Sequence, residues 1–200
     1  MFADMVGYTA LMQEDEPEAR RPTRGHREIL SEAVGRHDGE ILQYYGDGTL
    51  SIFHSAVEAV ECAVEIQRAV ADRGLVALRI GIHSGDVVHD GDELYGDGVN
   101  VASRIEGLAA AGGVMVSGKV YDEVKNHPDL SAVSMGSVRL KNVRDPVAVY
   151  AIDTGGLQVP TSLGGSHAGV HPAPRPLRRY TDEERRELLD RAARLERDGK

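Results

Sequence analysis

The order of the elements predicts an α+β fold, with helices packed on a mixed, largely antiparallel sheet. Three observations carry this expectation. "ILQYYGDGTLSIF" at 41–53 sets two apolar, β-prone runs on either side of a Gly-Asp-Gly tip, a strong short-range hairpin signal. A stretch with helical period follows at once, over 55–73. Beyond it, strands and helices succeed one another without the strict β-α-β alternation of a doubly wound parallel sheet.

The elements follow in chain order. Met1-Phe2-Ala3 reads as the stub of a strand with most of its length missing. In "DMVGYTALMQ" Gly7 marks a turn and Thr9 a helix cap. Glu14 to His37 has helical composition, and Pro22 and Gly25 predict a kink or break in it. "GRHDGE" is a loop before the hairpin. Ser55 with Glu58 three residues on is a capping box. Val57, Val60, Ala63, Val64, Gln67 and Val70 then form the apolar face of the next helix, with Cys62 in the core. "VALRIGIHSGDVVHD" reads as strand, Gly-rich turn and strand. "YGDGVNVASRIEGLA" opens as a loop and becomes a helix, with Val99, Ala102, Ile105 and Ala109 on one face. "GGVMVSGKVYDEV" is a short strand and a helix. "SVRLKNVRDPVAVYAI" is two strands joined at Arg144-Asp145-Pro146.

After about Asp153 the composition turns to Gly, Pro, Ser and His. Residues 154–179 read as a flexible linker and 180–200 as one short charged helix with no core of its own. The globular part is therefore 1–153. Within 200 residues, a 41% hydrophobic share suffices for one domain with a core. A net charge of −9 argues against nonspecific nucleic-acid binding. The single cysteine excludes a disulfide framework within the chain and fits a reducing, cytoplasmic setting. No run approaches the roughly 18 to 20 apolar residues of a membrane span, and no signal-peptide pattern opens the chain.

The chemistry starts from two acids. Asp4 ends a strand and Asp47 tips a hairpin; if the strand runs beside the hairpin, both carboxylates meet at one end of the sheet. Two rigid oxygen ligands there suit Mg²⁺, which keeps waters and takes phosphate oxygens for the rest of its shell. The adjacent turn at Gly7, Tyr8 and Thr9 offers backbone N–H groups to a phosphate. Asn100 and Arg104 stand i, i+4 on one helix face. His83 and His89 lack a second matching pair for a metal site, and His167 and His171 fall in the linker.

"FADMVGYTAL", "YGDG", "LRIGIHSGDVV" and "YGDGVNVASRIE", in that order and at fitting separations, resemble the class III nucleotidyl cyclase catalytic domain over residues 1–153. The resemblance implies a ferredoxin-like nucleotide cyclase fold whose first strand is central, so the shortened strand at residues 1–3 predicts exposed sheet edges. It implies that Asp4 and Asp47 bind two divalent ions, Mg²⁺ or Mn²⁺, and that Asn100 and Arg104 stabilise the transition state. It places Arg79 and Lys141 on the triphosphate of the substrate. It also implies a symmetric homodimer with shared sites, producing a cyclic nucleotide for signalling. The base-reading positions depart from the family pattern: Gln43 stands where adenylyl cyclases carry Lys, and Glu93 where they carry Asp. Gln43 can donate to adenine N1 and Glu93 can accept from the exocyclic amine, which favours ATP; the opposite amide orientation serves guanine. A degenerate, dimerising nucleotide-binding module is the alternative this departure leaves open.

Overall fold

The computed structural model describes residues 1–8, 16–86, 88–90, 93–95 and 97–163; Thr9 and the expected tail helix lie outside them. Its strands are β1 (Phe2–Met5), β2 (Glu40–Tyr45), β3 (Gly48–Ile52), β4 (Leu78–Ile82), β5 (Val88–Asp90), β6 (Glu93–Tyr95), β7 (Val114–Ser117), β8 (Ala132–Val138) and β9 (Val147–Ile152). Its helices are α1 (Glu16–Arg36), α2 (Ala56–Asp72), α3 (Asp97–Glu106) and α4 (Gly118–Val124). Seven strands form one sheet in the order β2-β3-β1-β4-β7-β9-β8, and β5 and β6 form a separate ribbon. Only the β4–β7 pairing is parallel, so the α+β expectation holds.

The short first strand does not leave the sheet open. Phe2–Met5 pairs along its whole length with Leu78–Gly81, and Phe2 and Ala3 also pair with Leu50 and Thr49. Ser51 N–H donates to the Met1 carbonyl at 2.9 Å, which extends the ladder by one more residue. The expected exposed edges beside β1 are absent among the described residues, because β3 and β4 cover both sides of it; the edge strands are β2 and β8.

Side chains alternate across the sheet. Ala3, Met5, Leu78, Ile80, Ile82, Val114 and Val116 face one layer of helices, where Ile29, Leu30, Ala33 and Val34 of α1, Val60, Ala63 and Ile66 of α2, and Val120 and Val124 of α4 complete the main core. Cys62 is buried there, and burial pushes its thiol up to about 12. Ser55 caps α2 as its sequence predicts, its Oγ accepting from Glu58 N–H at 3.4 Å. Gln67, on the same helix, donates to the carbonyls of Leu78 and Gly113 at 3.0 and 2.9 Å, pinning α2 across the start of the parallel pair.

α1 is one continuous helix, contrary to the break expected at Pro22 and Gly25. Tertiary packing overrides propensity. Gly25 lies against Leu75, where an added Cβ would stand 3.1 Å from Leu75 Cδ1, and His26 Nε2 donates to the Val76 carbonyl at 2.6 Å. Three smaller expectations also change. β6 reads as loop in the sequence because it is only three residues long. β8 starts at Ala132, its apolar period broken by a bulge between Ser134 and Ser137 with Gly136 at φ +87°. The hairpin tip is a two-residue turn, Gly46-Asp47, closed by the Tyr45–Gly48 pair, with Gly46 at φ +60°.

Among the described residues, the other face carries α3 alone. It seats on Gly81 so closely that a Cβ there would fall 2.2 Å from Glu106 N and 2.4 Å from the Ala102 carbonyl oxygen. Val101 and Ile105 of α3 bury on one side against Met115, Leu140 and Val149, and Val99 and Ala102 on the other against Phe2 and Leu50. Gly81→Ala should lower stability by about 3 kcal/mol. By contrast Gly35→Ala, in a helix with open space at its Cα, should raise it by about 0.5–1 kcal/mol. Urea unfolding of both variants checks the pair; equal effects would mean α3 does not lie on Gly81.

Candidate functional site

Strand register decides which polar residues share the α3 face. Phe2 and Asp4 alternate with the core-facing Ala3 and Met5, and Arg79, opposite Asp4 across the β1–β4 pair, falls on the same face. On the other side of β1, Gly48 leaves room for the acid: a Cβ at Gly48 would lie 3.2 Å from Asp4 Oδ1. Asp47, half-buried, is the turn residue just before Gly48. The chain therefore brings Asp4 to the hairpin tip that carries Asp47, as the two-acid reading requires.

Arg79 does more than neighbour the acids. Its Nη2 lies 3.4 Å from Asp4 Oδ2, and its Nε donates to Glu106 Oε1 at 2.8 Å. The Asp4 side chain is 5% exposed and that of Glu106 is 0% exposed. Two carboxylates thus share one guanidinium under α3. Glu106 went unnoticed in the sequence. The available signal was an acid inside an otherwise apolar helix face, two positions after Arg104 and beside Ile105.

Gln43 lies opposite Leu50, on the α3 face, after a bulge at Leu42. Its Oε1 is buried with no hydrogen-bond partner among the described residues. Tyr45, two residues on, packs its ring 6.0 Å from that of Phe2, and burial pushes its phenol up to about 12, so it stays neutral at ordinary pH. Glu93 is the first residue of β6, in the separate ribbon paired with Asp90; the register does not bring it into the sheet beside Gln43. Gly7, at φ +75°, turns the chain out of β1, while Tyr8 packs against the core on the opposite face from Asp4.

Asn100 and Arg104 occupy α3 at half-buried positions. Arg104 Nη1 is a buried nitrogen with no hydrogen-bond partner among the described residues. Lys141 is exposed in the β8–β9 loop, directly after Leu140, which packs beneath Val101 and Ile105 of α3. One chain therefore gathers two groups: Asp4, Asp47, Arg79 and Glu106 at the β1–β3–β4 end, and Asn100, Arg104 and Lys141 on and beside α3. A cleft of about 340 Å³ at the opposite end of β1, lined by Met1, His54, His83 and Gly98 among others, contains none of these residues.

A family profile described as "Adenylate and Guanylate cyclase catalytic domain" matches residues 1–154. The "Putative adenylate cyclase 3" of Rhizobium meliloti (strain 1021) is 41% identical over 159 residues, covering 75% of this chain and 27% of that protein. The "pH-sensitive adenylate cyclase MT1302" of Mycobacterium tuberculosis is 25% identical over 169 residues, covering 82% of this chain and 42% of that protein. The chain thus spans well under half the length of either relative. Among solved structures, an "Adenylate/Guanylate Cyclase/Hydrolase" from Silicibacter pomeroyi matches with 33% identity and a TM-score of 0.66, over 75% of this chain and 92% of that one. The adenylyl cyclase CyaB from P. aeruginosa shares the fold at 20% identity and a TM-score of 0.64, over 82% and 94% of the two chains.

The buried triad generates a direct test. Glu106→Ala leaves Arg79, whose side chain is 27% exposed, with less compensation and should cost about 1–3 kcal/mol. Glu106→Gln keeps an oxygen for Arg79 Nε and should cost clearly less. Urea unfolding distinguishes them, and equal losses would mean that the charge of Glu106, not its hydrogen bond to Arg79 Nε, carries the contact.

Proposed function

The chain belongs to the adenylate and guanylate cyclase catalytic-domain family, and we propose that it converts ATP to 3′,5′-cyclic AMP and pyrophosphate. The single observation that carries this reading is the seating of Asp4 at the hairpin tip, its Oδ1 packed against Gly48, the residue that follows Asp47 in the turn. Hard carboxylate oxygens held at one end of the sheet fit Mg²⁺ or Mn²⁺. When bound, such ions would be held by Asp4 and Asp47 and would supply charge neutralisation for the triphosphate and a lowered pKa at the ribose 3′-OH.

The chain's own residues then do the positioning. The ribose 3′-hydroxyl gives up its proton to solvent and its oxygen forms a bond to the α-phosphorus as the bond from that phosphorus to the bridging oxygen breaks, and pyrophosphate leaves carrying the electron pair. Asn100 orients the ribose, and Arg104 offsets charge gathering on the α-phosphate, a task that suits its partnerless Nη1. Arg79, itself anchored on Glu106, holds Asp4 in place, and its guanidinium adds positive charge near the triphosphate. Lys141 and the backbone N–H groups of the Gly7-Tyr8-Thr9 turn add further phosphate contacts. Gln43 and Glu93 read the base; the Gln43 amide donates to adenine N1 and Glu93 accepts from the exocyclic amine. The relative named as an adenylate cyclase supports ATP over GTP.

Arg104 Nη1, without a hydrogen-bond partner among the described residues, fits a site completed by a second copy, in a two-fold dimer with two shared sites. The setting is the cytoplasm, where nucleoside triphosphates are present; no described helix is long and apolar enough to cross a membrane. The neutral Gln43 favours one second reading, a nucleotide-binding cyclase homologue without turnover.

One assay separates the two. The purified chain is incubated with Mn²⁺ and each of ATP, GTP, CTP and UTP, and cyclic products are read by mass spectrometry. Cyclic AMP should dominate; a folded dimer that yields no cyclic product from any of the four contradicts the enzyme reading. Asp47→Ala should lower turnover by at least about 100-fold, equivalent to about 3 kcal/mol of lost transition-state stabilisation, with the dimer intact by sedimentation. Gln43→Lys should raise the ATP-to-GTP ratio of kcat/KM, and an unchanged ratio removes Gln43 from the base.

A further inference from the structure

On the opposite side of the sheet from α3, three elements bring together side chains that the cyclase reading does not use. His37 follows the end of α1. Glu58, Glu61 and Glu65 stand i, i+3 and i+7 along α2, so they share one helix face. His127 follows α4. Ligand atoms of His37, Glu58 and Glu61 all lie within 4.8 Å of one another.

The imidazole of His37 sits between two carboxylates. Its Nδ1 is 3.0 Å from Glu58 Oε2 and its Nε2 is 2.9 Å from Glu65 Oε2. A neutral imidazole has one N–H donor and one lone pair, whereas a carboxylate only accepts. One of these contacts therefore opposes two electron pairs unless a cation, either a proton or a metal ion, lies at that nitrogen. The surroundings show which nitrogen is the donor. Glu65 also takes hydrogen bonds from Arg36, which hold its carboxyl below the usual range, so it is a charged acceptor for Nε2–H. That leaves Nδ1, with its lone pair, facing Glu58.

On the other side, His127 Nε2 stands 3.7 Å from Glu61 Oε1. That is beyond a hydrogen bond. It is close to the edge of a coordination tetrahedron, about 3.3 Å for metal–ligand bonds of about 2.0 Å. Arg36 pairs with Glu65, so a divalent ion would offset the charges of Glu58 and Glu61. An imidazole with its other nitrogen held by a carboxylate is also the usual support for a metal-ligating histidine. Cys62, beside Glu61 in sequence, is buried with its thiol pushed up to about 12, and it stays out of the set.

We propose that His37, Glu58 and Glu61 form the core of a second metal site, for a divalent transition ion of the zinc type, which draws in His127 from beside Glu61. Imidazole nitrogen beside two carboxylates favours such an ion over Mg²⁺, which prefers oxygen alone. The bound ion ties the end of α1, the start of α2 and the segment after α4 to one another, and it stabilises the fold in proportion to its occupancy. The inference rests on these side chains and not on the cyclase reading.

The test uses the full chain, stripped with chelator and titrated with Zn²⁺ alone. Calorimetry measures affinity and stoichiometry, thermal unfolding gives a second readout, and each variant's fold is checked by circular dichroism. Wild type should bind one zinc per chain in the micromolar range or tighter and melt at a higher temperature with it. Asp47→Ala, which disables the candidate catalytic metal site, should keep that zinc. Glu61→Gln and His127→Gln should each weaken it at least about 10-fold, and Glu65→Gln, which releases the His37 ring, by about 10-fold. If His127→Gln fails to fold, Glu61→Gln on the helix surface decides. Absence of zinc binding, zinc lost only in Asp47→Ala, or zinc that survives both Glu61→Gln and His127→Gln would each overturn the site. Stability that depends on pH near neutrality, with no zinc affinity, would assign the cation at His37 to a proton and would also overturn it.

Discussion

The approach of α3 to Gly81 is the contact on which the candidate site depends. Without a side chain at Gly81, the helix backbone comes into direct contact with β4. That closeness places Glu106 at the level of the sheet, where it reaches Arg79, and Arg79 in turn reaches Asp4. The same helix presents Asn100 and Arg104 on the side away from its buried residues. A single glycine thus couples the orientation of the acids to the orientation of the helix. Buried charges of this kind are poor sources of net stability but strong determinants of geometry, because each is costly unless its partner is in place.

Sheet register makes the second link. A one-residue slip of β1 against β4 would send Asp4 into the α1–α2 core and Ala3 toward α3. The apolar residues on either side of Asp4, Ala3 and Met5, oppose that slip, since both are buried in the main core. The metal-ligand candidate therefore has its position fixed by its neighbours' hydrophobicity, and Gly48, with no side chain, lets its carboxylate pack against the hairpin.

Much of this was legible in the residues. The alternating runs around Gly46-Asp47, the Ser55–Glu58 cap and the apolar face of α2 are local signals, and they appear as local structure. The pairing of Asp4 with the hairpin was conditional on strand order, which sequence period cannot supply. α1 runs through Pro22 and Gly25 because Leu75 and Val76, some fifty residues on, supply its packing and anchor; no window around Gly25 contains that information. Glu106 escaped for the same reason, since its partner Arg79 is distant in sequence. β6 and the start of β8 are short or bulged, so their period is too weak to read.

The central claim is that Asp47 and Arg104 act on one substrate from two different chains. Mixing and reannealing two inactive variants, Asp47→Ala and Arg104→Ala, tests it most directly. Random pairing makes half of the dimers mixed, and each mixed dimer has one site with both residues intact, so activity should return to about a quarter of wild type. Activity that stays at the level of the separate variants, with mixed dimers shown to form, would contradict a shared site.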